Sequence, residues 1–408
     1  MTLGVGGVSA AAALERLQDM TAGAQAIAPA EYQQRLARAQ VAMQEAGIDA
    51  LVINAGSNLR YFSGIVWKAS ERLVAAVLPA KGPLHYIAPA FERGTVQSFM
   101  VVDGPISTWQ EHENPYALLG DVLHGLGVLP GDGAVIALCP SLPFFMFDGI
   151  RECHSGYRFI NAGPLIDDLR MYKSSAEIAL LRQAKAMTMA VHQATASMLE
   201  DGISAADVTE FIRQAHRRVG APGSTFCIVL FGPDTAFPHG VLAPKRLEKG
   251  DMVLIDTGCQ LHGYQSDITR SYVFGEPTPE QRRVWNVEKA AQQAAFDAAV
   301  LGATCESLDL AARRVIESNG FGPGYALPGL PHRTGHGVGL ELHEAPYIVK
   351  GNTLPLDAGM CASNEPMICV PGAFGVRLED HFYMADDGAH WFTEPSFSVD
   401  DPFGLGKA

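Results

Sequence analysis

Four acidic side chains in the second half of this chain stand at the ends of short apolar runs, where a buried charge has to be answered by an opposite one. Met252 to Asp256 (MVLID) reads as a strand ending in a carboxylate, and Ile268 to Phe274 (ITRSYVF) as a second strand preceded by Asp267. The intervening GCQLHGYQS suits a hairpin loop, which brings the two Asp side chains to one end of a sheet. Each is costly to bury unless neutralised, and a metal cation neutralises both. Downstream, His336 projects from among Gly335, Gly337 and Gly339, where the lack of Cβ atoms permits close backbone approach. His343 follows beside Glu344. Glu365 closes an apolar run in SNEPM, and the alternation in GVRLEDHF places Arg377, Glu379 and His381 on one strand face.

Each element has an ordinary reading by itself: an Asp after a strand is commonly a turn or cap residue, a His in a glycine loop is commonly structural, and Glu-Pro is frequent. Together, in one half of one chain, they form a ligand set. Four carboxylates and one imidazole match what two divalent ions need, since oxygen ligands suit Mn²⁺ and Mg²⁺ and imidazole also admits Co²⁺, Fe²⁺ and Zn²⁺.

The rest of the composition narrows the class. A chain of 408 residues exceeds the usual size of a single core, so two domains are expected. A formal net charge of −14, with no offsetting Lys/Arg cluster, repels phosphate backbones and anionic lipid surfaces and argues against nucleic acid as a partner. Seven scattered cysteines without a Cys-x-x-Cys pair disfavour a disulfide framework or a thiolate zinc site. The Ala-rich N-terminus lacks a basic start, and no window is apolar for the roughly 18 residues of a membrane helix, so a cytoplasmic location is expected.

Along the chain, a helix near Glu31 to Gly47 is followed by strand-like runs at Ala50 to Asn54, Leu73 to Leu78, Leu84 to Ala88 and Ala134 to Cys139, with a helical stretch at Tyr116 to Gly125. Ser174 is the expected N-cap of a long helix over Ser175 to Glu200. The second half also carries a weak duplication: Gly202, Arg213 and Gly220 recur as Gly302, Arg313 and Gly320, 100 positions on. Each copy pairs two helices (Glu177 to Leu199 with Ala205 to Val219; Gln281 to Val300 with Glu306 to Ser318). Two similar halves facing each other place a ligand site at their interface.

The series DTG, SDITR, GHGVG, HEAP, NEP and GVRLED, preceded by PHG at Pro238 to Gly240, resembles the pita-bread metallopeptidases over roughly residues 170 to 400. The N-terminal region resembles the creatinase-type domain of the aminopeptidase P and prolidase branch. Methionine aminopeptidases lack that domain, and creatinase lacks the metal ligands. The resemblance implies an α/β (α+β) chain with a creatinase-like domain over residues 1–168, of which 1–30 form a leading arm or helix, and a pseudo-twofold pita-bread catalytic domain over 169–408. It further implies that Asp256 chelates one ion, that His336 and Glu365 bind the other, and that Asp267 and Glu379 bridge them. Glu365 is the expected proton shuttle, and His239 and His343 are the expected catalytic and substrate-binding histidines. Tyr264 and Arg377 flank the ligands, with Arg377 a further candidate for substrate contact.

The implied activity is that of a cytoplasmic Xaa-Pro dipeptidase with two divalent ions (Mn²⁺, Co²⁺ or Zn²⁺), acting on short Xaa-Pro peptides as a homodimer. In such enzymes the N-terminal domain caps the cleft, often from the partner subunit. The loop Leu59 to Arg72, with Trp67, Lys68 and Arg72, suits that role, with Trp67 expected to reach a partner's active site and bind substrate, or an ordinary connection. Many prolidases hold the proline carboxylate with an arginine between the second histidine and the Glu-Pro, yet EAPYIVKGNTLPLDAGMCAS has none. Arg377, Lys350 or the N-terminal domain is left to substitute. Alternatives within the same fold are aminopeptidase P, a lyase for dimethylsulfoniopropionate, or a binding protein that has retired its active site.

Overall fold

The computed structural model describes residues 2–131 and 133–406. It divides into two compact units, one of Ala26–Arg170 and one of Met1–Gln25 with Met171–Ala408. The leading segment thus belongs with the larger unit. There its backbone is tied down by hydrogen bonds from Thr2 to Gly275 and from Gly6 and Val8 to Ala196 and Ser197. Its one helix, α1 (Ala10–Glu15), starts on a Ser9 side chain that caps Ala12.

The smaller unit runs α2 (Pro29–Glu45), β1 (Ala50–Asn54), α3 (Ser57–Ser63), β2 (Ala75–Pro79), β3 (His85–Pro89), α4 (Arg93–Phe99), β4 (Ile106–Trp109), α5 (Pro115–Gly125), β5 (Val135–Leu138), α6 (Phe144–Cys153), β6 (Arg158–Asn161) and α7 (Gly163–Arg170). Its six-stranded sheet has the order β4-β3-β2-β1-β5-β6, with β1 parallel to β5 and antiparallel to β2. Every residue of β1 is buried, which explains why its continuous apolar run is readable. The edge strand β6 carries a mixed, half-exposed pattern with no apolar run, so periodicity does not announce it.

The larger unit opens with α8 (Ser175–Met198), capped as expected: Ser174 accepts from the Glu177 amide while the Glu177 side chain accepts from the Ser174 amide. After α9 (Ala205–Arg218) come β7 (Phe226–Phe231), β8 (Met252–Gly258), the short β9 (Gln260–Leu261) and β10 (Tyr264–Gln265), and β11 (Ile268–Val273). A second helix pair, α10 (Pro279–Asp297) and α11 (Cys305–Ser318), precedes β12 (Gly335–Gly337), β13 (Glu344–Ile348), β14 (Cys361–Asn364), β15 (Met367–Val370), β16 (Phe374–Arg377), β17 (Asp380–Ala385) and β18 (Gly388–Trp391). One sheet is β11-β8-β7, another β13-β12-β14-β17-β18, and β15 pairs with β16. Met252, Leu254 and Val273 pack with Trp285, Val284 and Ala291 of α10 in a fully buried core. Burial of this kind contributes about 25 cal/mol per Å² of apolar surface.

One expected element differs. GVRLEDHF is not a continuous strand, because β16 and β17 pair with different partners, β15 and β14 respectively. At the break, the Glu379 amide donates to Thr269 of β11. That switch brings the two sheets to one point, and Glu379 is there.

Candidate metal centre

β8 is the central strand of its sheet, so Asp256 has neighbours on both sides, Thr269 across β11 and Ile228 across β7. Asp267 immediately precedes β11. His336 is the middle residue of β12, and its glycine neighbours are sterically required: a Cβ on Gly335 would meet the Ser363 oxygen at 2.1 Å, and one on Gly337 the Ala345 oxygen at 2.2 Å. Glu365 leaves β14 with its amide on Thr334, and Glu379 sits at the β16–β17 break.

These elements converge on one cavity of about 480 Å³, lined by Asp256, Asp267, His336, Glu365 and Glu379 together with His239, His343 and Arg377. Of the residues expected to touch substrate, Trp67 alone lies in the smaller unit, where its ring packs edge-on against Phe99 at 6.1 Å. The cavity also takes in Phe226, Ile228, Pro331, His332, Arg333 and Leu342. The signal that could have found His332 and Arg333 is their place in PHRTGHG, on the segment that delivers His336.

His336 has its Nδ1 at 3.0 Å from the Gly337 carbonyl. A carbonyl only accepts, so Nδ1 carries a proton, and Nε2 is the nitrogen left to offer a lone pair to a cation. Nε2 faces Glu365 Oε1 at 3.0 Å and Asp267 Oδ2 at 3.7 Å. Ser363 Oγ accepts from the His336 amide and donates to Glu365 Oε1, which links the two candidate ligands through one hydroxyl. Thr269 Oγ1 donates to Glu379 Oε2 at 2.6 Å, and His381 Nε2 lies 3.2 Å from Glu379 Oε1. The rings of His336 and His343 are 3.9 Å apart.

Arg377 is the buried counter-charge. Its Nη2 donates to Asp256 Oδ2 at 2.5 Å, its Nε to Thr269 Oγ1 and its Nη1 to the Pro238 carbonyl next to His239. Tyr264 is buried away from the cavity lining, with its hydroxyl donating to Glu177 of α8. A buried Lys173–Glu344 pair at 2.7 Å fixes the strand that follows His343.

The carboxylates are over-concentrated for the protein alone to neutralise. Burial, then the charges of Glu379 and Asp256, pushes the Asp267 carboxyl well above the usual range. Burial, then Glu365, does the same to Glu379. Asp256 is also raised by burial, against the pull of Arg377. For Glu365 burial works upward too, but His336, His332 and Arg377 outweigh it and hold the carboxyl low. Asp256 Oδ1 is buried with no hydrogen-bond partner. Three oxygen-and-nitrogen groupings here, Asp267/His336/His343, Asp267/Glu379/His381 and His336/Glu365/Glu379, each bring their ligand atoms within 4.8 Å of one another. An orphaned oxygen, mutually repelling carboxylates and an imidazole lone pair fit hard or borderline divalent cations.

The fold and this donor set define a metal-dependent hydrolase of pita-bread architecture. The sequence matches the model of metallopeptidase family M24 over residues 179–386 and that of the creatinase/prolidase N-terminal domain over residues 35–172. A probable dipeptidase PepE of Mycobacterium bovis is 36% identical over 361 residues, covering 88% of this chain and 93% of the relative. Among solved structures, the dipeptidase PepE of Mycobacterium ulcerans superposes with a TM-score of 0.83 at 35% identity over 91% of this chain and 97% of that one. The prolidase of Thermococcus sibiricus gives 0.82 at 30% identity over 89% and 97%. The chain belongs to metallopeptidase family M24 and carries that family's creatinase-type N-terminal domain. Among the described residues, no helix is long and apolar enough to cross a membrane.

Proposed function

We propose that this chain is a metal-dependent dipeptidase that hydrolyses the bond between an N-terminal residue and proline. The observation that carries the reading is the convergence of Asp256, Asp267, His336, Glu365 and Glu379 on one cavity flanked by His239 and His343. Relatives named dipeptidase and prolidase support the substrate class.

Asp256, Asp267, His336, Glu365 and Glu379 would together hold two divalent ions. Bound there, such ions supply Lewis-acid polarisation of the scissile carbonyl and bring the pKa of a water towards neutrality. Glu365 accepts the proton of the attacking water at a carboxylate oxygen and returns it to the leaving nitrogen. Burial, then His336, pushes the His343 imidazole down to about 4, so it is neutral at physiological pH and acts as a hydrogen-bond donor. With His239, it stabilises the oxyanion that develops on the substrate. Arg377 holds Asp256 and the Pro238 carbonyl, and so sets where His239 enters the cavity.

Purified protein incubated with Mn²⁺ should hydrolyse Xaa-Pro dipeptides, lose the activity in EDTA and regain it with Mn²⁺, Co²⁺ or Zn²⁺. Turnover indifferent to chelation sinks the reading. Cleavage of dimethylsulfoniopropionate in place of peptides reassigns the same site to a lyase.

A further inference from the structure

We propose that Arg333 anchors the C-terminal carboxylate of the substrate and thereby restricts the enzyme to dipeptides, an inference that rests on the dipeptidase reading above. Arg333 lines the cavity beside His332 and His343. Its guanidinium lies over the Tyr347 ring at 4.4 Å, and Nη2 approaches Nδ1 of His343 at 3.4 Å. A guanidinium has five N–H donors and nothing to accept with, so Nδ1 of His343 is the acceptor and most of the fork stays available. Among the described residues no carboxylate pairs with Arg333, whereas the other arginine on the cavity wall, Arg377, has every nitrogen engaged. The cavity therefore holds one preorganised cation without an anion. Its guanidinium lies over the Tyr347 ring, and the N–H groups left over suit a planar, bidentate partner.

The spacing selects which anion. In the dipeptidase reading His343 donates to the oxygen of the scissile carbonyl. Arg333 touches His343, so the group it reaches lies about one residue further along the substrate, where consecutive Cα atoms are about 3.8 Å apart. In a dipeptide that group is the terminal carboxylate, and in a longer peptide it is a neutral amide. The segment between His343 and Glu365 contains no arginine to do this work. Arg333 reaches the same cavity from the other side of His336 in sequence.

The test compares Ala-Pro with its C-terminal amide on the Mn²⁺-loaded full-length enzyme, as wild type, Arg333→Ala and Arg333→Lys. The wild type should prefer the free acid by about 10- to 100-fold in kcat/KM, the size expected for a hydrogen-bonded charge pair. In Arg333→Ala that ratio should collapse to near one, with the loss falling mainly on KM. Arg333→Lys, which keeps the charge on a flexible aliphatic stem and so guards against a folding defect, should lie between. Calorimetry gives a readout independent of turnover: proline should bind the wild type more tightly than prolinamide, and the difference should vanish in Arg333→Ala. A wild type that cleaves acid and amide equally, or an Arg333→Ala enzyme that keeps the preference, overturns this inference and leaves the dipeptidase reading standing. A wild type inert towards both substrates overturns the two together.

Discussion

The two halves of the catalytic unit share a backbone plan and differ in what their side chains brace. In the first half Gly202 is left-handed (φ +84°) and donates to Leu247, whose amide returns a bond to Ile203. In the second, Gly302 (φ +81°) donates to Leu356, whose amide returns a bond to Ala303. Gly220 and Gly320 end the second helix of each pair with φ of +97° and +86°. The arginines 100 positions apart have diverged. Arg213 is exposed and only 3.9 Å from Glu210. Arg313 is buried, bonded to Asp309 and to the carbonyls of Gly324, Leu330 and His332. Asp309 in turn accepts from the Thr334 amide and hydroxyl. The corresponding turns thus share backbone geometry, while the second half has a buried brace for the segment that carries His332, Arg333 and His336.

The comparison breaks soonest at the metal centre, to which both halves contribute. Asp267→Asn in the first half and His336→Ala in the second should each bring metal-dependent turnover to about one-thousandth of wild type or less, through loss of ligation and of the water it activates. Circular dichroism should show the fold retained, and metal content should drop in both. If the first-half variant stayed active, the site would belong to the second half alone.

A sharper cut is the arginine pair. Arg313→Ala strands the buried Asp309 carboxylate and three carbonyls, which should cost about 3–5 kcal/mol in urea denaturation. Arg213→Ala removes an exposed pair and should stay within about 0.5 kcal/mol of wild type. Equal losses would mean that the halves are braced alike.

Much of this was legible in the sequence because it depends on local chemistry. The apolar runs of β1 and β8, the Ser174 cap and the five candidate ligands that line the cavity each leave a mark within a few residues. Gly335 and Gly337 read correctly because the closest contacts that exclude a Cβ there are backbone contacts. What the sequence hid depends on distant partners. The split of GVRLEDHF into β16 and β17 follows from pairing with β15 and β14, which no local alternation reports. His332 and Arg333 look like ordinary loop residues until Arg313 and Asp309, about twenty positions earlier, fix their segment against the cavity. Arg377 sits in the run with the ligands, but its commitment to Asp256 and Pro238 joins residues more than a hundred positions apart.

A further pair of positions separates the halves by pH. His192 of α8 donates from Nε2 to the Ile268 carbonyl at 2.9 Å, and Gln292 of α10, 100 positions later, donates to the Leu378 carbonyl at 3.1 Å. Burial, then Arg270, pushes the His192 imidazole down to about 3. Between its unfolded value near 6.5 and that folded value the unfolded chain binds a proton that the native one does not, so stability falls as pH falls through this window. His192→Gln keeps a donor and removes the titration. Going from pH 7 to pH 5, the wild type should lose about 2 kcal/mol more than the variant, from the 1.36 kcal/mol carried by each pKa unit. Parallel stability curves for the two proteins would show that His192 titrates as freely in the fold as outside it.

The smallest effect is expected where the halves agree most closely. Neither Gly202 nor Gly302 has any atom within 4 Å of the position a Cβ would take, and both are left-handed. Gly202→Ala and Gly302→Ala therefore create no clash and cost only the backbone strain of an L-residue in that region, about 1–2 kcal/mol each. Matching losses in thermal and urea unfolding support two equivalent turns. A loss confined to Gly302→Ala would mean that the second half, already carrying the Arg313 brace, tolerates less movement of its backbone than the first.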